Sequence, residues 1–251
     1  NSAELSPIPS TFTNSSTVAY NSTTTVQNIA NNITFGNLTL SGSVKNANAL
    51  TVNGILNNNA TLNANGTLSA GTLTNNGTLN LYADGNSWKN SSVTGTVNYA
   101  GTNQTIVNSS YAVLNLTNGG KTFTGNPLRA STLTVDSMSS LTANAVEVTG
   151  DLTSRGTLDI NGNFSVGGTL NAAAMNLGGA VNIWNAETSV ISGVVTYDGD
   201  VDQTVQADDY VTLNFTGSGA KTISSGTTRI AAAFDSGDTK VRFSANSAIE
   251  F

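Results

Sequence analysis

The sequence contains no cysteine and no histidine, and only 10% of its 251 residues are charged. These absences exclude a disulfide framework and any metal site built from cysteine or histidine ligands. They also leave few of the side chains that general acid–base catalysis uses most often. No run of eighteen apolar residues occurs, which argues against a membrane-spanning helix. The cationic residues form no basic stripe, so nothing in the sequence favours nucleic-acid binding.

What remains is a weakly charged, polar chain with a net charge of −6 and 38% hydrophobic residues. That hydrophobic share is low for a globule with one deep core, and the net charge is too small for a disordered chain. Asn, Thr, Ser and Gly make up the difference, and they suit stacked β-structure with ladders of Asn and Thr. The chain starts at Asn1 without a charged-then-apolar leader, so we expect a mature or excised piece of a longer protein.

A six-residue repeat runs through residues 150–170, GDLTSRGTLDINGNFSVGGTL. Glycine recurs at every sixth residue, and a large apolar residue keeps the same spacing, at Leu152, Leu158, Phe164 and Leu170. Apolar residues at the first and third positions of each six, with a polar residue between them, describe a short β-strand with one buried face. The glycine at the fifth position would let the chain turn a corner, because glycine tolerates φ > 0.

Alternating short strands and corners describe a coil. Three sides need about 18 residues, the size of one coil of a triangular β-solenoid, and successive coils would pair at about 4.8 Å. The six-residue spacing starts at Val146 and ends with Val181 and Ile183, which are therefore predicted to be buried, and it recurs from Leu62 to Leu79. The sequence predicts an all-β chain that forms one elongated β-solenoid over residues 1–251, with a β-sandwich as the alternative.

A longer repeat is superimposed on the short one. GTVNYAGTNQTIVNSSYAVLNLTNGGKTF at residues 95–123 matches GVVTYDGDVDQTVQADDYVTLNFTGSGAKTI at residues 193–223. The aligned positions are Tyr99 with Tyr197, Gln104 with Gln203, Tyr111 with Tyr210, Leu114 with Leu213, and Lys121 with Lys221. A more divergent copy starts at Ser16, with Tyr20, Phe35, Leu38 and Leu40 in the matching places. The predicted units are 1–45 (partial), 46–125 and 126–228, followed by a tail at 229–251.

The tyrosine segments are predicted to form wider coils or a small elaboration of the solenoid. A tryptophan precedes each of the two tyrosine segments, at Trp88 and Trp184. Because these aromatic residues recur in register with the repeat, we interpret them as structural anchors. A carbohydrate-stacking surface is the alternative.

The segments GTLTNNGTLN, LTVNGIL and VTYDGDVDQTVQADDYVTLNFTGSGAKTI resemble the β-strand repeats of large bacterial surface proteins, including filamentous adhesins and autotransporter passengers. The resemblance covers most of the chain. It implies a right-handed solenoid, export to the bacterial cell surface, and a role in adhesion, an extracellular matrix or a filament. It carries over no site residues.

An acidic segment is the one candidate for chemistry. DGDVDQTVQADD places Asp198, Asp200, Asp202 and Asp209 at positions 1, 3, 5 and 12, the oxygen spacing of an EF-hand loop, although the glycine of that loop is missing. A weak Ca²⁺ site or a solvated acidic loop would explain this spacing. These four aspartates and Asp208 are the candidates for a pair of catalytic carboxylates. The matching stretch of the earlier unit, residues 100–110, contains no acid, which argues against catalysis.

These observations predict a non-enzymatic, extracellular structural or adhesive protein, such as a stalk, a filament or a surface-layer component. No cofactor is expected apart from the Ca²⁺ ion considered above. A carbohydrate-binding or polysaccharide-cleaving β-helix is the alternative. The expected partners are another copy of the chain, joined end to end or by strand donation, and a glycan or cell-surface receptor. Open solenoid ends favour such pairing, and Pro7, Pro9 and the rest of the first fifteen residues would form a cap or a donated strand.

Overall fold

The computed structural model describes residues 10–13, 15–185 and 187–251. In these residues all helical and sheet structure is β-strand. No helix able to cross a membrane is found among them. The prediction that the N-terminal segment with Pro7 and Pro9 forms a cap or a donated strand falls for the most part outside the described residues.

Two compact units divide the chain, Asn1–Asn98 and Tyr99–Phe251. The division lies inside the predicted repeat 46–125, so the sequence repeat and the compact unit are different divisions of the chain. The strands of the first unit are β1 (Thr17–Tyr20), β2 (Gln27–Asn28), β3 (Thr34–Phe35), β4 (Asn37–Ser41), β5 (Lys45–Ala47), β6 (Leu50–Asn59), β7 (Thr61–Ala64), β8 (Leu68–Asn75), β9 (Thr78–Leu81) and β10 (Ser87–Val93).

Strand β11 (Thr96–Tyr99) contains the division between the units. The strands that follow are β12 (Gln104–Thr105), β13 (Ser110–Leu116), β14 (Gly119–Phe123), β15 (Leu128–Val135), β16 (Ser139–Ala143), β17 (Val146–Val148), β18 (Leu152–Ile160), β19 (Phe164–Val166), β20 (Leu170–Leu177), β21 (Asn182–Ile183), β22 (Val190–Tyr197), β23 (Gln203–Val205), β24 (Asp209–Phe215), β25 (Lys221–Ile223), β26 (Gly226–Asp235), β27 (Val241–Phe243) and β28 (Ser247–Glu250).

Within each unit a strand pairs in parallel with strands one coil away. In the first unit β1, β4, β6, β8 and β10 pair in that order, and β2, β5, β7 and β9 form a second column. In the second unit β13, β15, β18, β20, β22, β24, β26 and β28 form the longest column. Paired residues are 17 to 21 positions apart, as in Leu62 with Leu79 and Leu213 with Phe234. The fold is therefore a β-solenoid, and the sandwich alternative, which needs antiparallel sheets, is wrong.

The six-residue spacing corresponds to the sides of a coil. Leu152 pairs with Leu170, and Val146 pairs with Phe164, so the apolar residue three repeats later returns to the same side. Leu158 lies in the same strand as Leu152, after the irregularity between Ser154 and Thr157, and all five side chains are buried. Each coil therefore contributes a few apolar residues to a thin interior, and stacking extends that interior from coil to coil.

The prediction fails at the end of the run, where the register shifts by one residue. Phe164 pairs with Asn182 rather than with Val181. Asn182 is consequently buried, whereas Val181 and Ile183, both predicted to be inside, are 43% and 55% exposed. A shift of one residue moves every side chain of a strand to the opposite face.

The repeated glycines have a different role from the one predicted. Gly156 and Gly162 do not adopt positive φ. Instead, a Cβ atom on Gly156 would lie 1.9 Å from the carbonyl oxygen of Ser139, and one on Gly162 would lie 2.1 Å from that of Asn144. Glycine is needed at these positions because the backbone of the neighbouring coil is too close for any side chain.

Asparagine ladders connect the coils of the first unit, as predicted. In each rung, a side-chain amide donates to the amide oxygen of the asparagine one coil earlier, at 2.5–3.3 Å, through Asn28, Asn46, Asn63, Asn80 and Asn98. A second, buried contact joins Asn58 Nδ2 to Asn75 Oδ1 at 2.7 Å. These ladders explain why a chain with little apolar surface is rich in asparagine.

The coils contain more residues near the tyrosine segments. Tyr111 pairs with Ala130, nineteen residues later, and Tyr210 pairs with Ile230, twenty residues later. The tail continues the same stacking, because β26 pairs with β28. The large rings thus lie beside the longer coils of the second unit.

Replacing Gly156 by alanine should lower the free energy of unfolding by about 1–3 kcal/mol, the usual cost of forcing extra volume into a packed site. Gly120→Ala is the matched control, because its Cβ would lie 3.4 Å or more from its neighbours; its effect should stay within about 0.5 kcal/mol. Urea denaturation of both variants measures the difference. Equal stability of the two variants would contradict the close-approach explanation.

Candidate functional site

Two buried tyrosines face each other in each long repeat of the second unit. The hydroxyl oxygens of Tyr99 and Tyr111 are 3.2 Å apart, as are those of Tyr197 and Tyr210. The second tyrosine of each pair donates to the carbonyl oxygen four residues before it, at 2.6 and 2.7 Å, and the N–H of that same residue donates to the first tyrosine. Each tyrosine pair therefore holds in place the segment of backbone that lies between the two tyrosines.

The four tyrosines are at most 2% exposed. Trp88 and Trp184 are also buried. Burial raises the pKa of Tyr111, Tyr197 and Tyr210. The burial of these aromatic residues supports their predicted role as structural anchors and leaves no ring face open for stacking against a carbohydrate.

A glutamine and a lysine hold the backbone two residues after the first tyrosine. The N–H of Gly101 donates to Gln104 Oε1 at 2.8 Å, and the Gly101 carbonyl accepts from Lys121 Nζ at 2.8 Å. Gln104 and Lys121 themselves lie on neighbouring coils, paired across β12 and β14. We call this arrangement of glutamine, lysine and held residue the Gln–Lys clamp.

The clamp occurs at two further places: Gly199 between Gln203 and Lys221, and Ser22 between Gln27 and Lys45. In both, the glutamine and the lysine are again paired on adjacent strands. The contacts to Gly199 are 2.8 Å each, and those to Ser22 are 3.0 and 3.4 Å. The sequence repeat near Ser16, which looked divergent, thus keeps the clamp.

The three lysines of the clamps are buried, and among the described residues no carboxylate lies at hydrogen-bond distance from them. Lys121 Nζ donates to the carbonyl oxygens of Thr117, Asn118 and Gly101 at 2.7–2.9 Å. Burial lowers the pKa of Lys121 to about 8 and also lowers the pKa of Lys45 and Lys221. Carbonyl dipoles therefore satisfy a desolvated cation.

Sequence reasoning aligned Lys121 with Lys221 but did not place them inside, and it missed Lys45. The segments KTF and KTI indicate the burial of the lysines. In a strand, residues two positions apart lie on the same face, so each lysine shares a face with the buried Phe123 or Ile223. A lysine at a core position of a strand was overlooked because lysine is rarely fully buried.

The acidic segment joins coils rather than forming a closed loop. Asp200 accepts from the backbone N–H of Ser218 at 3.0 Å, and Asp202 accepts from that of Ala220 at 2.9 Å. These hydrogen bonds lower the pKa of both carboxyl groups, and a contact to Arg242 also lowers that of Asp202. Each carboxylate satisfies a backbone donor eighteen residues later.

The neighbouring acids have separate partners. Asp208 is buried and accepts from Trp184 Nε1 and from the Ser189 hydroxyl. Asp209 lies 3.4 Å from Arg229. Asp198 is exposed, and partial burial of its carboxyl group raises its pKa.

The predicted Ca²⁺ ligands Asp198, Asp200, Asp202 and Asp209 are thus not drawn toward one centre by their contacts. Across the described ranges, no three acidic side chains form a group that could hold a metal ion. Binding of Ca²⁺ to these four residues stays a prediction from the sequence.

A feature that the sequence pattern did not reveal is a shallow groove beside the second tyrosine of each pair. One groove, of about 160 Å³, lies over Tyr111 and Ala130 and is flanked by Arg129 and Glu147. The other, of about 350 Å³, is flanked in the same way by Arg229 and Glu250, over Tyr210 and Ile230. We call these the Arg–Glu grooves.

The arginine and the glutamate meet across each groove. Arg129 Nε lies 3.1 Å from Glu147 Oε2, and Arg229 Nε lies 3.0 Å from Glu250 Oε2. All four side chains are 44–58% exposed. The signal in the sequence was the recurrence of arginine eighteen or nineteen residues after the second tyrosine, which becomes informative only when the strand pairing is known.

No protein-family model, curated protein or solved structure matches the chain.

Replacing Lys121 by methionine should lower the free energy of unfolding at pH 7 by about 1.5–3 kcal/mol, because buried carbonyl oxygens lose a charged donor. The control Lys240→Met alters an exposed lysine and should change stability by less than about 0.5 kcal/mol. Guanidinium denaturation compares them.

The stability difference between wild type and Lys121→Met should also depend on pH. Because the pKa of Lys121 is lowered from 10.5 to about 8, the unfolded chain binds more protons than the folded chain between these values. The wild type therefore gains stability relative to the variant as pH rises from 8 toward 10.5, and the difference is constant below pH 8. A difference that is flat or falls between pH 7 and 9.5 would contradict the lowered pKa.

Replacing Asp202 by alanine should destabilise the chain at pH 7 because the Ala220 N–H and Arg242 lose their acceptor. The pKa of Asp202 is lowered from 3.8, so its stabilising effect is complete above that value and disappears as pH falls through the lowered one. Denaturation at pH 7, 4.5 and 2.5 should show the loss shrinking with acidity. Asp238→Ala, at an exposed aspartate elsewhere in the second unit, should show no such trend.

Proposed function

We propose that the chain is a non-enzymatic structural or adhesive protein of the bacterial cell surface, acting as a stalk, a filament or a surface-layer component. The observation that carries the proposal is the use of chemically versatile side chains for coil-to-coil contacts. The buried tyrosine pairs, the Gln–Lys clamps and the carboxylates of Asp200 and Asp202 all hold backbone in place. This pattern suits a protein whose work is to keep its own shape.

The solenoid design supports the same proposal. Each coil contacts mainly its neighbours, so stability grows roughly as a sum over coils and interfaces. Such a structure can be extended by adding repeats without redesigning its core. The resemblance to β-strand repeats of bacterial surface proteins agrees with this role and with an extracellular location.

Self-association is the partner interaction that follows most directly. Solenoid strands carry backbone donors and acceptors that pair with the next strand in parallel, and an unpaired edge can accept a strand from another copy. We propose that copies of the chain join end to end or by strand donation. A glycan or a cell-surface receptor is the second proposed partner.

The polysaccharide-cleaving alternative has less support. Glycoside hydrolysis uses two carboxylates on either side of the scissile bond. Asp208 is buried against Trp184 and Ser189, and Asp202 is paired with Arg242. These two carboxylates already have hydrogen-bond or ion-pair partners within the chain, which argues against their acting as a catalytic acid and base.

Electron microscopy of the concentrated chain, together with attachment of host bacteria that display it, tests the proposal. Ordered filaments, or more attached cells than with an unrelated displayed domain of similar size, would support it. Reducing-end assays on a panel of polysaccharides measure the alternative. Catalytic release of reducing ends that is lost in Asp200→Asn/Asp202→Asn would overturn the proposal, as would the absence of both association and attachment.

A further inference from the structure

We propose that the two Arg–Glu grooves are binding sites for neutral polysaccharide, one beside Tyr111 and one beside Tyr210. The proposal rests on the adhesive role proposed above and adds a ligand class and a site to it. Its basis is a comparison of the two repeats within the second unit, residue by residue.

The arginine and the glutamate of the grooves recur, whereas Asp209, which also lines the second groove and lies 3.4 Å from Arg229, has Ser110 at the equivalent position. Asp198, Asp200 and Asp202 have no acidic counterpart between residues 100 and 110. Arg129 and Arg229 occupy equivalent positions, each next to the residue that pairs with the second tyrosine. Their glutamates lie on the next strand, directly opposite.

Stability does not account for this recurrence. An exposed ion pair contributes about 0–1 kcal/mol, and often nothing measurable. The buried lysines recur for a structural reason, since they satisfy carbonyl oxygens in the interior. The exposed arginine and glutamate have no such task, so a ligand is the better explanation for keeping both.

The chemistry of the groove fits a sugar ring. An apolar floor of Ala130 or Ile230 over a buried tyrosine offers a surface for the C–H face of the sugar. The guanidinium presents a planar set of donors, and the carboxylate only accepts hydrogen bonds. Hydroxyl groups both donate and accept, so neighbouring hydroxyls of one sugar can satisfy both flanks of the groove.

Two observations argue against other polymers. At the first groove β15 is paired on both sides, with β13 on one side and with β17 and β18 on the other, so a peptide finds no free edge there for β-augmentation. The glutamates of the grooves and the net charge of −6 repel polyuronates and other acidic chains. A neutral polysaccharide avoids both problems.

The spacing of the grooves favours a polymer over a single sugar. Five strand pairings separate β13 from β24, through β15, β18, β20 and β22. At about 4.8 Å per pairing, the grooves are roughly 24 Å apart. A chain that reaches both sites binds with higher avidity than a short oligosaccharide.

Affinity electrophoresis of the full chain in native gels tests the proposal, with mannan, β-glucan and xylan as neutral probes and alginate as the acidic one. The groove variants are Arg129→Ala/Arg229→Ala and Glu147→Gln/Glu250→Gln. The matched control Arg155→Ala/Lys240→Ala removes two exposed positive charges elsewhere in the second unit. Circular dichroism and thermal unfolding verify that each variant is folded.

We expect at least one neutral polysaccharide to retard the wild-type chain, with affinity about tenfold lower in each groove variant and unchanged in the control. The proposal is overturned if no neutral probe retards the chain, if groove and control variants behave alike, or if alginate binds more tightly than every neutral probe. If polysaccharide binding fails in one of these ways but filament formation or cell attachment is intact, the binding site at the grooves is rejected and the proposed function stands. Loss of association and attachment would instead count against the proposed function.

Discussion

Within each unit the described coils stack in register, one directly against the next, and the other features of the structure follow from this close stacking. It brings backbone so close to backbone that only glycine fits at Gly156. It places identical side chains one above another, so that Asn80 reaches Asn63 at 2.7 Å. It also lets a carboxylate such as Asp200 satisfy a backbone donor one coil later. A composition rich in Gly, Asn, Ser and Thr is the chemical consequence of this geometry, because small and polar side chains can repeat at short spacing without clashing.

The Gln–Lys clamp shows how the interior uses residues that usually serve at surfaces or active sites. A desolvated ammonium group is costly unless polar groups surround it, and in the clamp carbonyl oxygens take the place of water. Lys121 has three such partners within 2.9 Å. The glutamine of the preceding coil holds the N–H of the same residue whose carbonyl the lysine binds. Loop and coil are thereby fixed together by one hydrogen-bond network, whose members support one another in a low-dielectric interior.

Buried and exposed residues differ in how closely they match between the long repeats. The buried contacts are nearly the same in both repeats, because a change in one coil disturbs the coils on either side of it. The exterior is free to vary, and it does vary in the acidic segment, which one repeat has and the other lacks. In contrast to the acidic segment, the exposed ion pairs Arg129–Glu147 and Arg229–Glu250 occur at equivalent positions in both copies. This contrast connects the proposed structural or adhesive role with a ligand at the grooves.

The fold class, the coil of about eighteen residues and the burial of the tyrosines could be predicted from the amino-acid sequence, because periodic apolar residues are a local property of the chain. The prediction for the glycines gave the wrong physical cause. It attributed their recurrence to positive φ at the glycines themselves, whereas the close approach of the neighbouring coil is what requires glycine there. The sequence-based predictions also missed the register shift at Asn182 and the buried state of Lys45. These features depend on the pairing of the coils, as does the meeting of Arg129 and Glu147 across one groove. Residues eighteen positions apart meet only when the exact length of each coil is known, and a single inserted or deleted residue between them changes which side chains face each other.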